Sequence, residues 1–426
     1  MGFEDDVCSS YSQFACIGSG FSAIGLGATL KRWYGISDVQ FFERDDNLGG
    51  TWYANSYPGN SRRAPILAPL APHPYPLADE FPLVGCACDV PSALYSFSFE
   101  SNPNWTRILP SNKELWAYLK SVSDKYDLTR RMTFGATVER AQWLDQRKRW
   151  RLQIRRKDGT TFLHESHFLF SGVGQLTEPR ELDAPGAETF EGPIFHSARW
   201  RKDVDLTDKK VVVIGNGCTA SQIIPEIVGK TKHLTQIARS KHWVAPPIDA
   251  PNTKALQMTL KYIPGMMALQ RFVIYCVTEN SFRTFYMTES GTKFRRSRQA
   301  KAEKYMRQTA PEKYHDMLIP EWEIGCKRRI FDSGYLASLH AENITLTNSP
   351  IQEVTANGVV TKDGFVEADV IILANGFATN QYLSGVNIVG RDGKTMPDHW
   401  SQFGGPEAYN CTALNGFPNL FLILGT

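Results

Sequence analysis

Two short runs of the chain have the residue types and the spacing to hold a dinucleotide. Gly18-Ser19-Gly20-Phe21-Ser22-Ala23 follows the apolar stretch 14–17, and Gly215-Asn216-Gly217-Cys218-Thr219-Ala220-Ser221 follows Lys210-Val-Val-Val-Ile214. Glycine serves where the backbone must turn sharply and approach a pyrophosphate closely, and a small residue at the third place lets the next helix pack on its strand. The helix that opens there aims its first amides at the phosphates. The two runs differ in what comes next. The strand 39–42 ends in Glu43, roughly twenty residues past the first glycines. A carboxylate there accepts from both ribose hydroxyls and repels a 2′-phosphate, which suits FAD or NAD. The strand 233–238 instead ends in Arg239-Ser240-Lys241. A base in that place favours the 2′-phosphate of NADP.

Both runs need a strand, a turn and a helix to position them. The first reads as strand 14–17, helix 23–33 and strand 39–42; the second as strand 210–214, a helix to about residue 228 and strand 233–238. Residues 112–126 predict an amphipathic helix with Leu115, Trp116, Leu119 and Val122 on one face and Ser111 at its N-cap. The stretches 132–138, 150–156 and 161–164 predict strands of a β-meander with an Asp158-Gly159 hairpin turn. A separate buried strand follows over 167–174. Residues 246–323 read as mostly helical. Their most apolar part, 256–277, is broken by Lys261, Pro264, Gly265 and Arg271, which predicts packed helices rather than a membrane span. The charged run 293–304 reads as a solvated helix face.

The fold class is therefore α/β, with two Rossmann-like dinucleotide-binding domains and a helical insertion in the second. The expected spans are 1–180 for the first part of the first nucleotide domain, 181–340 for the second, NADP-type domain with its insertion at about 246–323, and 341–426 for the second part of the first domain. A chain of 426 residues, 42% apolar and 21% charged, has the composition of an ordinary globular enzyme. A net charge of +3 gives no case for a nucleic-acid partner. The eight cysteines have no metal-ligand spacing, and Cys86 and Cys88 match no redox pair. No metal is expected, and a reducing, cytoplasmic setting is the default. A disulfide reductase shares the two-nucleotide layout but requires a paired redox cysteine motif near the first turn, and the sequence has none.

Between the two glycine turns lies Phe190-Glu-Gly192-Pro-Ile-Phe-His196-Ser-Ala-Arg-Trp200, of the form F-x-G-x-x-x-H-x-x-x-W. With Leu48-Gly-Gly50-Thr51-Trp52-Tyr53, Tyr57-Pro58-Gly59, Lys327-Arg328 and Asp369-Val-Ile-Ile-Leu-Ala-Asn375-Gly376-Phe377, the chain resembles the Baeyer–Villiger branch of the class B flavin monooxygenases. Relatives that oxygenate nitrogen or sulfur usually end the first motif with Tyr or Phe, where this chain has Trp200. Arg201 departs from the branch, which usually has Pro or Asp there, and Asn375 replaces a Thr. The resemblance implies FAD and NADPH as cofactors, dioxygen and a small organic molecule as substrates, and a ketone converted to an ester or lactone. An N- or S-oxygenating enzyme is one alternative; an inactive fragment is another. By resemblance, Gly50, Thr51, Trp52, Asp89, Tyr95 and Val138 join the first glycine turn and Glu43 in binding FAD. Lys327 joins Arg239 and Ser240 at the NADP 2′-phosphate. Arg328 balances negative charge during oxygen transfer, and Asp89 orients it. His196 is expected as a structural link rather than an acid or base.

Two departures from the family pattern carry expectations of their own. The motif that continues from Tyr57-Pro58 resumes only at Gly85-Cys-Ala-Cys-Asp89. The intervening 60–84 therefore reads as an aberrant insertion, a translated intron in preference to a lid. The strand at 416–426 is where family members continue into a helix that covers the flavin, so the resemblance implies a truncated C-terminal end.

Overall fold

Phe14, Ala15, Cys16 and Ile17 are all buried, as a strand with neighbours on both sides must be. The computed structural model describes residues 10–58, 86–379, 383 and 385–423; the predicted insertion at 60–84 lies outside them. The described chain divides into two compact units. The first comprises the spans Met1–Ala54, Lys113–Pro179 and Phe377–Thr426, and the second the spans Asn55–Asn112 and Arg180–Gly376.

The first unit is organised by one sheet. Its strands run in the order Asn387–Val389, Ala136–Leu144, Arg149–Arg156, Thr161–Ser171, Ser10–Ile17, Val39–Phe42 and Met132–Thr133, with Leu420–Leu422 also paired to Thr161–Ser171. The expected meander is present, but 161–164 and 167–174 are not separate strands. They form a single strand, Thr161–Ser171, antiparallel to Arg149–Arg156 and parallel to Ser10–Ile17. One strand thus carries the meander into the nucleotide-binding sheet. Gly135, at φ +60, breaks the predicted strand 132–138 in two. The core lies where Trp143, Trp150, Leu152, Ile154 and Leu169 pack against Trp400 and Phe417. The helix Asn112–Lys125 buries Leu115, Leu119 and Val122 as expected, with Tyr118 in place of Trp116.

The second unit holds a five-stranded parallel sheet in the order Ile344–Thr347, His233–Ile237, Lys210–Ile214, Val370–Leu373 and Ile194–His196. Val370–Leu373 sits between Lys210–Ile214 and the edge strand, and residues 341–376, beyond the expected boundary at 340, fall within the second compact unit. An antiparallel sheet of Ile351–Thr355, Gly358–Thr361 and Gly364–Glu367 accompanies it.

The predicted helical stretch contains Lys254–Tyr262, Met266–Asn280, Glu289–Thr309 and His315–Leu318. Gly265, at φ +81, forms the break between the first two. These helices form, and three of them bury apolar residues such as Leu260, Met306 and Leu318. Met266–Asn280 buries none of its residues, and Phe272 and Val277 are 62% and 66% exposed. Apolar sequence made the helix without supplying a neighbour for its outer face. No helix among the described residues is long and apolar enough to cross a membrane. The charged run is mostly solvated; Arg295 is the exception, buried and bonded to Glu323 and to the carbonyls of Thr284 and Tyr286.

Candidate functional site

At the end of Ser10–Ile17 the backbone turns through Gly18, at φ +100, where a Cβ would lie 2.7 Å from the Gly172 carbonyl oxygen. No L side chain fits there. Gly49 and Gly50, also at positive φ, bring a second turn against the first: the Gly49 N–H donates to Ser19 O, a Cβ on Gly20 would lie 3.5 Å from Gly50 Cα, and one on Gly50 3.2 Å from Gly20 Cα. Trp116 closes this turn from behind, with its indole N–H donating to Leu48 O at 3.0 Å. Helix Phe21–Tyr34 starts at Gly20 with no side-chain cap, so its first N–H groups are left for a ligand. Ala23 is fully buried, as close packing on the strand requires. Ser22 lies in the first turn of this helix, and Thr51 and Trp52 open the short helix Thr51–Ala54 beside it.

Glu43 is 6% exposed. Its Oε2 accepts from the Ser19 N–H at 2.9 Å and from Ser19 Oγ at 2.8 Å, and Oε1 accepts from the Asp45 N–H. Burial pushes its carboxyl above the usual range, and the donors from Asp45 and Ser19 pull back against it. Each carboxylate oxygen accepts about two hydrogen bonds, so Oε1 retains capacity for a ribose hydroxyl. The uncapped helix, the crowded glycine cradle and an acid in place of a base fit a dinucleotide without a 2′-phosphate. Val138 is a core residue of the same sheet. Gly18, Gly20, Ser22, Ala23, Glu43, Gly50, Thr51 and Trp52 are therefore brought together, while Val138 reaches the site through its strand alone.

The second turn follows the same plan with tighter packing. A Cβ on Gly215, at φ +135, would lie 2.2 Å from Ala374 O, whereas one on Gly217 would meet nothing within 4 Å. The first glycine is fixed by the neighbouring strand; the second faces open space, as a pyrophosphate needs. Helix Cys218–Ile227 starts at Gly217 without a side-chain cap and buries Ala220 and Ser221. Thr219 lies in its first turn. Arg239 is exposed, and among the described residues no ion pair engages it. Lys241 is paired with Glu321. An open phosphate cradle and an uncommitted guanidinium fit a 2′-phosphorylated dinucleotide.

The same unit brings Asp89 to Arg328. The Arg328 Nη2 lies between both carboxylate oxygens at 2.5 Å, across 239 residues of chain. Gln222, on the nucleotide-binding helix, accepts from Tyr57 Oη and donates to Ala87 O, and so ties down the segment that leads into Asp89. The spacing of the motifs gave no sign of Gln222. Cys218 senses the ion pair: burial raises its thiol pKa first, the Asp89 charge adds to that, and Arg328 opposes both. Lys327 is exposed, with its ammonium 4.5 Å from the Trp322 ring centroid. Tyr95 is half-buried in a turn of the same unit, its N–H on Pro91 O.

The F-x-G-x-x-x-H-x-x-x-W stretch forms the edge strand Ile194–His196 of the parallel sheet. Gly192 is required by contact, since a Cβ there would lie 2.2 Å from Asp369 O and would also strike the Phe190 ring. His196 Nδ1 accepts from the Ala198 N–H, which leaves Nε2 to donate to Gly376 O at 3.1 Å. Burial lowers its pKa, favouring the neutral ring. With both nitrogens on backbone groups, His196 is a structural link. Trp200 packs edge-on against Phe195.

Comparison with known proteins matches residues 12–385 to the family described as flavin-binding monooxygenase-like. A Baeyer–Villiger monooxygenase of Streptomyces coelicolor is 32% identical over 99% of this chain and 75% of its own length. One from Pseudomonas aeruginosa is 32% identical over 98% of this chain and 73% of its own. Cyclohexanone monooxygenase from Rhodococcus sp. Phi1, in a crystal structure bound to NADP+, superposes with a TM-score of 0.78 at 27% identity, covering 98% of this chain and 80% of that one.

Proposed function

This chain belongs to the flavin-binding monooxygenase-like family, and from that premise we propose that its reaction is a Baeyer–Villiger oxidation, a ketone becoming an ester or lactone. It is an FAD-dependent, NADPH-consuming monooxygenase that acts on a small organic substrate and dioxygen. Bound FAD, reduced by NADPH, would activate dioxygen for transfer of one of its oxygen atoms. The protein supplies binding, orientation and charge.

In this reading the first glycine turn, with Glu43, holds FAD, and the second holds NADPH, with Arg239 and Lys327 on the 2′-phosphate. Contacts of that charge-assisted kind contribute roughly 1.5–3 kcal/mol each. Arg328 balances the negative charge that develops as oxygen is transferred. A cation fixed in place beforehand does this without reorganising at the moment of reaction. Asp89 holds the guanidinium by one nitrogen, and among the described residues no hydrogen bond engages the rest of its planar fork. The observation that carries the reading is this Asp89–Arg328 pair, because a ketone oxygenation builds up anionic charge on both partners and needs a positioned cation more than thioether oxidation does. Residues 1–54, 113–179 and 377–426 are assigned to the FAD domain, and 180–376 to the NADP domain. The cytoplasm, where NADPH is available and Cys86, Cys88 and Cys218 remain thiols, is the assigned compartment.

Product analysis with NADPH and a panel of cyclic, aromatic and steroid-like ketones, alongside a thioether, tests the proposal. An ester or lactone is expected from at least one ketone. Sulfoxide formation with no ketone product across the panel would contradict it.

A further inference from the structure

The middle residue of the second glycine turn commits its side chain to protein partners. Asn216 Nδ2 donates to the Ser240 carbonyl at 3.0 Å. Its Oδ1 accepts from Gln236 Nε2 at 3.1 Å and lies 3.1 Å from Tyr335 Oη. Gln236, wholly buried in the parallel strand His233–Ile237, uses its other amide hydrogen on Gly215 O at 2.9 Å. The Tyr335 hydroxyl has one hydrogen to give, and the shorter contact, 2.8 Å, is to Gln236 Oε1. Tyr335 is held in turn by Asp332, whose Oδ1 accepts from the N–H groups of Gly334 and Tyr335 while Oδ2 accepts from Tyr305 Oη. Tyr335, Gln236 and Asp332 are each at most 4% exposed. A polar chain therefore runs from a buried carboxylate, through Tyr335 and Gln236, to Asn216, and ends on the backbone of residue 240.

That endpoint adjoins Arg239. The Arg239 side chain is exposed and has no ion-pair partner among the described residues, so its aim depends on the backbone that carries it. Asn216 is the side chain that fixes this backbone to the phosphate turn. We propose that Asn216, locked by Gln236 and Tyr335, is a positioning residue for cofactor choice: it sets the 239–241 loop so that Arg239 meets the 2′-phosphate of NADPH. A direct contact of the Asn216 side chain with the cofactor is not part of this role. The inference rests on the assignment of Arg239 to the 2′-phosphate. It also explains an otherwise costly feature, a carboxamide buried at the centre of a parallel strand, where an unpaired polar group would be strongly disfavoured.

Calorimetric titration of the FAD-loaded protein with NADP+ and NAD+ tests this without turnover. Asn216→Ala is expected to weaken NADP+ binding about tenfold, the loss of one well-placed hydrogen bond and its register, with NAD+ affinity within about twofold of the parent. In an Arg239→Ala background, Asn216→Ala is expected to add nothing further to the NADP+ loss, because residues acting through one contact are not additive. Tyr335→Phe, which removes one hydroxyl from the same chain, is expected to shift the same preference by about threefold; it carries the test if the Asn216 variant does not fold. Equal loss of NADP+ and NAD+ in Asn216→Ala, or full additivity with Arg239→Ala, would overturn the positioning role. If Arg239→Ala itself leaves the preference for NADP+ unchanged, the fault lies in the Arg239 assignment instead, and a selective effect of Asn216→Ala would then need another cation.

Discussion

The two glycine turns are built alike and charged oppositely. Each ends a central parallel strand, each opens an uncapped helix, and each has a first glycine that a neighbouring backbone would strike if it bore a Cβ. At the end of the following strand they diverge. Glu43 is buried and already accepts three hydrogen bonds from its own turn and the residues beyond. Arg239 is exposed and uncommitted, and what the structure holds there is the backbone, through Asn216 and Ser240. An acid that faces ribose hydroxyls can serve as an internal strut, because its ligand is neutral and a carboxylate has acceptors to spare. A base that must find a phosphate is kept out of internal pairs, since any partner would compete with the ligand. The contrast teaches that cofactor choice at the second turn is set by what holds the loop as much as by the arginine.

The sharpest division of labour concerns Arg328. If the first turn binds FAD and the second unit supplies the charge for oxygen transfer, Arg328→Ala should stay yellow yet lose about 10²–10³ in the rate of ketone oxygenation. Arg328→Lys should recover little, because a point charge does not reproduce the planar fork. Flavin absorbance and product yield check both, and loss of flavin together with activity would blur the division.

Gly215→Ala comes next. Positive φ and a 2.2 Å overlap with Ala374 O should cost about 3 kcal/mol or more of stability, read as a lowered Tm and lost NADP+ binding. Gly217→Ala, with open space around it, should change stability by less than about 1 kcal/mol while still weakening NADP+. Similar Tm losses for the two would mean that the turn is not braced by the neighbouring strand.

Arg239→Ala should raise the KM for NADPH about tenfold to a hundredfold and leave that for NADH nearly unchanged. The smallest effect is expected at Glu43. Its carboxyl is raised by burial, so the stability it contributes is present at acid pH and is lost as pH rises through its folded pKa. Relative to the parent, Glu43→Gln should therefore gain stability as pH rises over that range. Thermal unfolding across pH reads it, and a difference of opposite slope would show that the carboxylate is stabilised in its charged form.

Much of this architecture was legible in the sequence because local signals and tertiary demands agree. The strands Val39–Phe42 and Lys210–Ile214 lie where short, mostly apolar runs place them, since a strand buried on both faces has few polar positions to blur its ends. Glu43 follows the first of these directly, and Arg239 comes just after the strand His233–Ile237. Other features depend on partners that sequence does not reveal. Thr161–Ser171 reads as two strands because its hairpin half and its parallel half have different neighbours. The helix Met266–Asn280 is apolar enough to suggest packing, yet periodicity cannot say what covers a face. Gln236 looked like an ordinary strand residue; a polar side chain inside a parallel strand was the signal that a buried network lay beneath it.

The most direct test of the central claim is to run the reaction in isotopically heavy dioxygen with NADPH and a turned-over ketone, following label in the product and NADPH consumed. The account predicts an ester or lactone carrying one heavy oxygen atom, with one NADPH consumed per product. Unlabelled product, or NADPH consumption that ends in hydrogen peroxide without any ester or lactone, would contradict it.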